Sequence, residues 1–159
     1  MTARPRPGAA PARSLPPRPP SLLYAVKQVE LAVRAHLDEL LRPSGITVLQ
    51  YTALTVLDRR DRLTTAELAR SSFVTPQTMG DLVTALERRG LIERSPDPGN
   101  RRRLLIGLTE AGHDLLAGFE GAVRALEERM VGDLSAGERA ALADHLNRAR
   151  AALAVEPAR

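Results

Sequence analysis

The chain has 159 residues, enough for one compact domain with an appendage, and 43% of them are hydrophobic while only 3% are aromatic. Its core must therefore consist mainly of Leu, Ala, Val and Ile, and the first two favour helices. The absence of cysteine excludes a disulfide framework and thiol chemistry, and no apolar run is long enough to span a membrane.

The formal net charge of +4 is distributed unevenly along the chain. Residues 1–20 contain four arginines and no acid, whereas the remaining residues balance. Within the balanced part, residues 86–103 carry six arginines against three acids, and residues 105–147 carry eight acids against three arginines. A locally basic segment predicts an anionic partner at one place on the molecule.

Residues 1–20 contain seven prolines and almost no large apolar side chains, which predicts a disordered tail rich in Pro and Arg. Both an inert extension and a basic arm that touches nucleic acid fit this composition. The segment lacks the apolar stretch of a signal peptide, so we expect a cytoplasmic protein.

Two helices are predicted after the tail. Ser21 can cap the first, in which valines and leucines recur at three- and four-residue steps as far as Leu40. The segment "RPSGI" (42–46) then ends that helix, and Thr47 can cap a second one that reaches about Asp58. The predicted inward residues of the second helix are Leu49, Ala53, Val56 and Leu57.

A pair of shorter helices and a hairpin follow. Thr64 and Glu67 have the spacing of a capping box, which predicts a short helix there. Thr75 is a good N-cap with Pro76 at the first helical position, and Gly90 ends the resulting helix. "LIERS" and "RLLIGL" predict two strands around the turn "PDPGN". The predicted buried stripe of the helix before them comprises Met79, Leu82, Val83 and Leu86.

The last two helices begin at Thr109 and at the capping-box pair Ser135 and Glu138. Their apolar stripes are Leu116, Phe119, Val123, Leu126 and Met130, and then Leu142, Leu146, Ala149 and Leu153. Packing within the chain is one interpretation of the stripes in the first and last helices. They exceed what a small winged domain needs, however, so we expect them to form a dimer interface.

Two helices joined by a short turn and followed by a basic hairpin predict a winged helix-turn-helix. The fold class is mainly α with a small β-hairpin wing, flanked by dimerisation helices. The second helix of the pair would enter the major groove of double-stranded DNA, and the wing would meet the backbone or the minor groove. An arginine run is commonly only a solvated surface, but the helix-turn-helix before it favours DNA. The predicted DNA-binding residues are Ser71, Ser72, Thr75, Pro76, Gln77, Thr78, Arg101, Arg102 and Arg103.

Three features resemble the MarR (multiple antibiotic resistance regulator) family of transcriptional regulators. They are "LTTAELARSSFVTPQTMGDLVTALERRGLIERS", the wing "PDPGNRRRLLIGLTEAG", and the helix order over residues 22–154. The resemblance implies a homodimeric regulator, most simply a repressor, whose lobes bind adjacent half-sites of a pseudo-palindromic operator. It also implies release by a small, often aromatic, effector ligand. We expect dimerisation helices over residues 21–46 and 110–154 around a DNA-binding lobe over residues 47–109.

Two positions depart from the family pattern. Asn100 stands where an acid often supports the wing arginine, and Asp81 stands where the recognition helix often has a basic residue. Asp81 would repel phosphate unless it accepts a hydrogen bond from a cytosine amino group. We therefore leave Asp81 out of the predicted site.

The family comparison also implies an effector pocket between the lobes, which His36 and Tyr51 could face. A surface histidine and a core tyrosine are the alternative interpretation. The three histidines lie on different predicted helices without metal-ligand spacing, so we expect no metal and no cofactor. No nucleophile turn or phosphate-binding glycine loop is present, which argues against an enzyme that uses the cavity. A winged-helix adaptor that binds another protein without operator specificity remains the main alternative.

Overall fold

A computed structural model describes residues 19–154 of the chain. Within that range the chain forms helices α1 to α6 and an antiparallel hairpin of strands β1 and β2, which confirms the predicted fold class. The prediction of a disordered tail concerns residues 1–18 above all, and these lie outside the described residues. The elements are α1 (Leu22–Leu41), α2 (Val48–Arg59), α3 (Thr65–Ser71), α4 (Pro76–Arg88), β1 (Ile92–Asp97), β2 (Asn100–Leu108), α5 (Glu110–Val131) and α6 (Ala136–Ala154).

The described residues divide into two units, the first ending at residue 33 and the second beginning at residue 34. The described part of the first unit is the N-terminal portion of α1, where the Ser21 hydroxyl accepts a hydrogen bond from the Tyr24 N–H at 3.1 Å, as predicted. This portion leaves its large apolar side chains exposed. They are Leu22, Leu23, Tyr24, Val26, Val29 and Leu31. The domain boundaries that we placed after residues 20, 46 and 109 stay predictions.

Side-chain hydroxyls set the start of every helix from α2 to α6. In each case the hydroxyl oxygen accepts a hydrogen bond from the backbone N–H three residues later, which satisfies a donor that the helix itself cannot pair. Such a cap stabilises a helix by about 1 kcal/mol. The five capping residues, all of them predicted, are Thr47, Thr64, Thr75, Thr109 and Ser135.

The second unit has a closed apolar core between α2, α3, α4 and the hairpin. Met79, Val83 and Leu86 are fully buried and Leu82 packs half-buried against the core, which confirms the predicted stripe of α4. In α2 the prediction was wrong at Leu49, which is half-buried and does not belong to the core cluster, whereas Leu54, which was not predicted, is fully buried. Leu49 precedes Leu54 by about one and a half helical turns and so faces another side of α2.

The hairpin has a tighter turn than the sequence predicts. Asp97 pairs with Asn100 across the two residues Pro98 and Gly99, so both strands extend into the segment expected to be loop. The next pair of residues across the two strands is Pro96 and Leu104, so residues 101–103 have no partners across the sheet. The three arginines therefore form an unpaired segment inside β2 and do not precede the strand.

Candidate DNA-binding surface

The N-terminal end of α4 is exposed and carries no charged residue from Thr75 to Thr78. The Thr75 hydroxyl is occupied by the cap, since it accepts from the Thr78 N–H at 3.2 Å and donates to the Thr78 hydroxyl at 2.9 Å. The Gln77 carboxamide, in contrast, has no hydrogen-bond partner among the described residues. This amide can donate to and accept from an external group at the same time.

Asp81 lies on the same outward face of α4 as Gln77. Met79 and Val83 bury the opposite face, and residues four apart are neighbours along a helix surface. Both Gln77 and Asp81 are exposed. A groove-bound α4 would therefore present a carboxylate next to Gln77, where it can only accept hydrogen bonds.

The two serines at the end of α3 differ from each other. Ser71 is half-buried and accepts a hydrogen bond from Arg60 Nη1 at 3.1 Å. Ser72 is only 8% exposed, and its hydroxyl has no hydrogen-bond partner in the described part of the chain. The chain turns this hydroxyl into the lobe, so a contact between Ser72 and DNA stays a prediction that this conformation does not favour.

Arg101 and Arg102 extend from the hairpin into solvent. Both are exposed, and neither guanidinium group has an ion-pair or hydrogen-bond partner within residues 19–154. The backbone below them is held locally, because Asn100 Oδ1 accepts from the Arg102 N–H at 3.1 Å and Asp97 Oδ1 accepts from the Gly99 N–H at 2.9 Å. Asn100 therefore supports the tip of the wing through an uncharged side chain.

Arg103 is turned toward the lobe. Its Nη2 lies 3.1 Å from Glu67 Oε1 on α3, and its Nε lies 3.9 Å from Asp97 Oδ2 on the other strand. Both guanidinium contacts go to carboxylates of the chain itself. The arrangement makes Arg103 a link between the wing and α3, although the sequence grouped it with its two neighbours.

Glu67 is an unusually acidic partner for Arg103. Hydrogen bonds from the Thr64 hydroxyl and the Thr64 backbone N–H lower the pKa of the Glu67 carboxyl to about 2, and Arg103 adds to this effect. The capping box that begins α3 therefore also keeps this carboxylate ionised. The Glu67 side chain therefore completes the capping box of α3 and also connects α3 to the wing.

Two further arginines support the wing, and sequence reasoning missed both. Arg62 Nη1 donates to the Ser95 hydroxyl on β1 at 2.6 Å. Arg94 on β1 contacts α4, with its Nη2 3.2 Å from the Thr84 hydroxyl and its Nε 3.2 Å from Glu87. A surplus of arginine marks the region in the sequence, but no spacing rule pairs residues as far apart as Arg62 and Ser95.

The two residues predicted to face an effector pocket do not share one. Tyr51 lines a cleft of about 590 Å³ between α2 and α5. Its ring also packs edge-on against Phe119 at the border of the core, with 6.3 Å between the ring centroids. His36 lines a separate depression of about 380 Å³ between the end of α1 and α5. His113 Nδ1 also borders the first cleft, 3.2 Å from Asp58 Oδ1.

The described residues contain no group of three or more His, Asp or Glu side chains that could hold a metal ion. None of the helices in residues 19–154 is both long and apolar enough to cross a lipid bilayer.

Comparison with known proteins identifies the relatives of this chain. A family model described as "MarR family" matches residues 44–103. The HTH-type transcriptional repressor NicR of Pseudomonas putida is 36% identical over 97 residues, which are 61% of each chain. The HTH-type transcriptional repressor Rv2887 of Mycobacterium tuberculosis is 33% identical over 71% of this chain and 81% of its own length. The S. aureus MepR–DNA complex superposes with a TM-score of 0.71 at 28% identity, over 84% of this chain and 98% of that one.

The matched region coincides with the helix-turn-helix and the first part of the wing, where the sequence resemblance is strongest. The relatives are transcriptional regulators and not enzymes, which confirms the prediction of a non-enzymatic regulator. The structural match extends beyond the lobe to most of the chain, as expected for a shared overall fold. The chain belongs to the MarR family of DNA-binding transcriptional regulators.

Proposed function

We propose that this chain acts as a homodimeric repressor that binds a pseudo-palindromic operator and leaves it when a small effector binds. The half-sites would be spaced by about one helical turn of DNA, roughly 10 bp, because each lobe of a two-fold dimer reads one groove. A DNA target is also the reason to place the protein in the cytoplasm.

The observation that carries the proposal is that two kinds of side chain on one lobe have no hydrogen-bond or ion-pair partner among the described residues. Gln77 offers a free amide at the N-terminal end of α4, and Arg101 and Arg102 offer unpaired guanidinium groups on the wing. An amide of this kind pairs with adenine in the major groove, and guanidinium groups bind phosphates or enter the minor groove. Asp81 would then accept from a cytosine amino group beside Gln77.

The remaining predicted residues take supporting roles in this proposal. Ser71, Thr75, Pro76 and Thr78 would lie against the sugar-phosphate backbone, which positions a protein on DNA without specifying sequence. Arg103 would hold the wing in place through Glu67 and would not contact DNA. Ser72 has no part in the contact, because its hydroxyl is buried.

Exposed apolar side chains support the dimer. Leu142, Leu146 and Leu153 on α6 are 36%, 47% and 77% exposed, although they form one helical stripe. Soluble proteins rarely leave such a stripe uncovered. A second copy of the chain would cover it, together with the exposed apolar residues of α1.

The cleft that Tyr51 lines is our candidate for the effector site. It lies between α2, which packs in the lobe, and α5, which leads away from it. A flat aromatic ligand could lie beside the ring of Tyr51. His36 would contribute to a second, separate contact, because it borders the other depression.

Fluorescence anisotropy tests the proposal, with the DNA upstream of the protein's own gene and a scrambled duplex at two or more salt concentrations. We expect tight binding that the scrambled duplex does not compete away. Arg102→Ala should weaken binding to both duplexes and lower the slope of log affinity against log salt by about 1, because one phosphate contact is lost.

Arg148→Ala is the matched control, since Arg148 is also an exposed arginine and its ion-pair partner, Asp144, lies on α6. It removes the same charge without touching the wing, so its salt slope should equal that of the unmodified protein. Weak binding of equal strength to both duplexes would contradict the proposal and favour the protein–protein adaptor.

A further inference from the structure

Phe73 adopts a backbone conformation that its side chain opposes. It lies in the turn between α3 and α4 with φ at +54°, in the left-handed region. Bulky residues avoid this region because the Cβ atom crowds the following carbonyl, whereas glycine enters it freely. The turn is nevertheless well fixed, because the Phe73 N–H donates to the Arg70 carbonyl and the Val74 N–H donates to the Ala69 carbonyl.

The side chain of Phe73 is mostly exposed, so burial does little to offset this conformation. The side chain is 64% exposed, while Ser72 before it is buried and Val74 after it packs against the core. The turn therefore points a polar serine inward and the largest apolar side chain of the segment outward. For the isolated lobe, glycine or asparagine would suit this position better.

The surroundings of Phe73 indicate what the ring could meet. Residues 71–78 contain hydroxyls, one amide and one aromatic ring, but no charge, and Phe73 precedes the α4 cap Thr75 by two positions. This stretch is continuous with the end of α4 that we propose to read DNA. The major groove displays one apolar group on its base edges, the C5-methyl of thymine.

We propose that Phe73 is a specificity-determining residue whose ring packs against a thymine methyl at the edge of each half-site. The inference rests on the proposed function, because it places the ring in the groove that α4 enters. Gln77 would select adenine by hydrogen bonds and Phe73 would select thymine by apolar contact. The left-handed turn is what holds the ring outward before DNA binds.

The experiment uses the full chain and a duplex that it selects from a random-sequence library. Phe73→Asn removes the ring and is compatible with the left-handed backbone, and Phe73→Gly is a second variant with the same property. Each protein is titrated with the selected duplex and with duplexes in which single thymines are replaced by deoxyuridine, which lacks only the methyl group. If the unmodified protein shows no preference for the selected duplex, the proposed function itself fails, and that result is distinct from a failure of the Phe73 contact.

We expect both variants to unfold at a higher temperature and yet to bind the selected duplex more weakly, by about tenfold, which is about 1.4 kcal/mol. The salt slope should not change, because no charge is removed. One deoxyuridine substitution per half-site should weaken the unmodified protein and leave both variants unaffected. Unchanged affinity in the variants, or an equal deoxyuridine effect in all three proteins, would overturn the proposal.

Discussion

The winged lobe and helix α6 are built from similar apolar residues but bury them to very different extents. Leu54, Leu68 and Leu86 of the lobe are completely buried, whereas Leu146 and Leu153 of α6 are 47% and 77% exposed. In both regions leucines recur at helical spacing along one helix, as Leu54 and Leu57 do in α2 and Leu142 and Leu146 do in α6. The difference shows that apolar periodicity identifies the face of a helix to be covered, while other elements or another chain decide what covers it.

We expect the largest effects from leucine substitutions, and their dependence on protein concentration should differ between the lobe and α6. Leu54→Ala should lower the free energy of unfolding by about 2–5 kcal/mol at every concentration, because it opens a cavity in a closed core. Leu146→Ala should act on the dimer instead and raise its dissociation constant. Chemical denaturation and sedimentation equilibrium over a range of concentrations measure both quantities.

Leu142→Ala is the matched variant for Leu146→Ala, since it shortens the same stripe one turn earlier and should shift the dissociation constant in the same direction. A loss of stability from Leu146→Ala in dilute, monomeric protein, as large as that from Leu54→Ala, would contradict the comparison. It would mean that α6 packs within its own chain.

Acid should affect the lobe more than α6. Both Glu67 and Glu138 have a lowered carboxyl pKa through capping hydrogen bonds, but only Glu67 also contacts an arginine. Since the folded pKa lies below the unfolded one, Glu67 stabilises the fold above about pH 4.5, and this contribution is lost as the pH falls toward about 2.

Glu67→Gln should therefore flatten the acid branch of a plot of unfolding free energy against pH. Glu138→Gln is the control in α6 and should change that branch less. Unfolding by urea at a series of pH values measures both. Identical acid branches for Glu67→Gln and the unmodified chain would show that the Glu67 carboxylate, through its hydrogen bonds with Thr64 and its ion pair with Arg103, does not stabilise the fold.

The smallest expected effect is a gain in stability from a substitution at the end of α3. Ser72→Ala removes a buried hydroxyl that has no partner in the described part of the chain, so it should stabilise the fold by about 1 kcal/mol. DNA affinity should stay the same. A clear loss of affinity would return Ser72 to the DNA contact, in a conformation other than the one described.

Helix starts were predictable from the sequence because their hydrogen bonds join residues three positions apart. Thr47, Thr64 and Thr75 each cap the expected helix. The inward residues of α2 were less predictable, because Leu49 and Leu54 look alike until α3 and the hairpin define the core. Local bonds can be inferred from a pattern, whereas burial depends on elements distant in the chain.

The candidate site was predictable as a region but not residue by residue. The arginine surplus and the cap of α4 indicated the two segments that carry the proposed DNA contacts. The separate role of Arg103 depends on Glu67, which is 36 positions away. The exposure of Phe73 depends on a left-handed turn, and none of the residue types in that turn is typical of the conformation. Glycine or asparagine at position 73 would have predicted the left-handed turn, whereas phenylalanine does not.

The arginines of β2 that have no partner across the sheet also affect how the wing can evolve. In a fully paired strand, one inserted or deleted residue sends every later side chain to the opposite face of the sheet. Residues 101–103 have no partners across the sheet, and the pairing of Leu63 with Ile106 anchors the strand beyond them. Insertions and deletions at this point can therefore alter the reach of the wing while Ile106 keeps its place in the core.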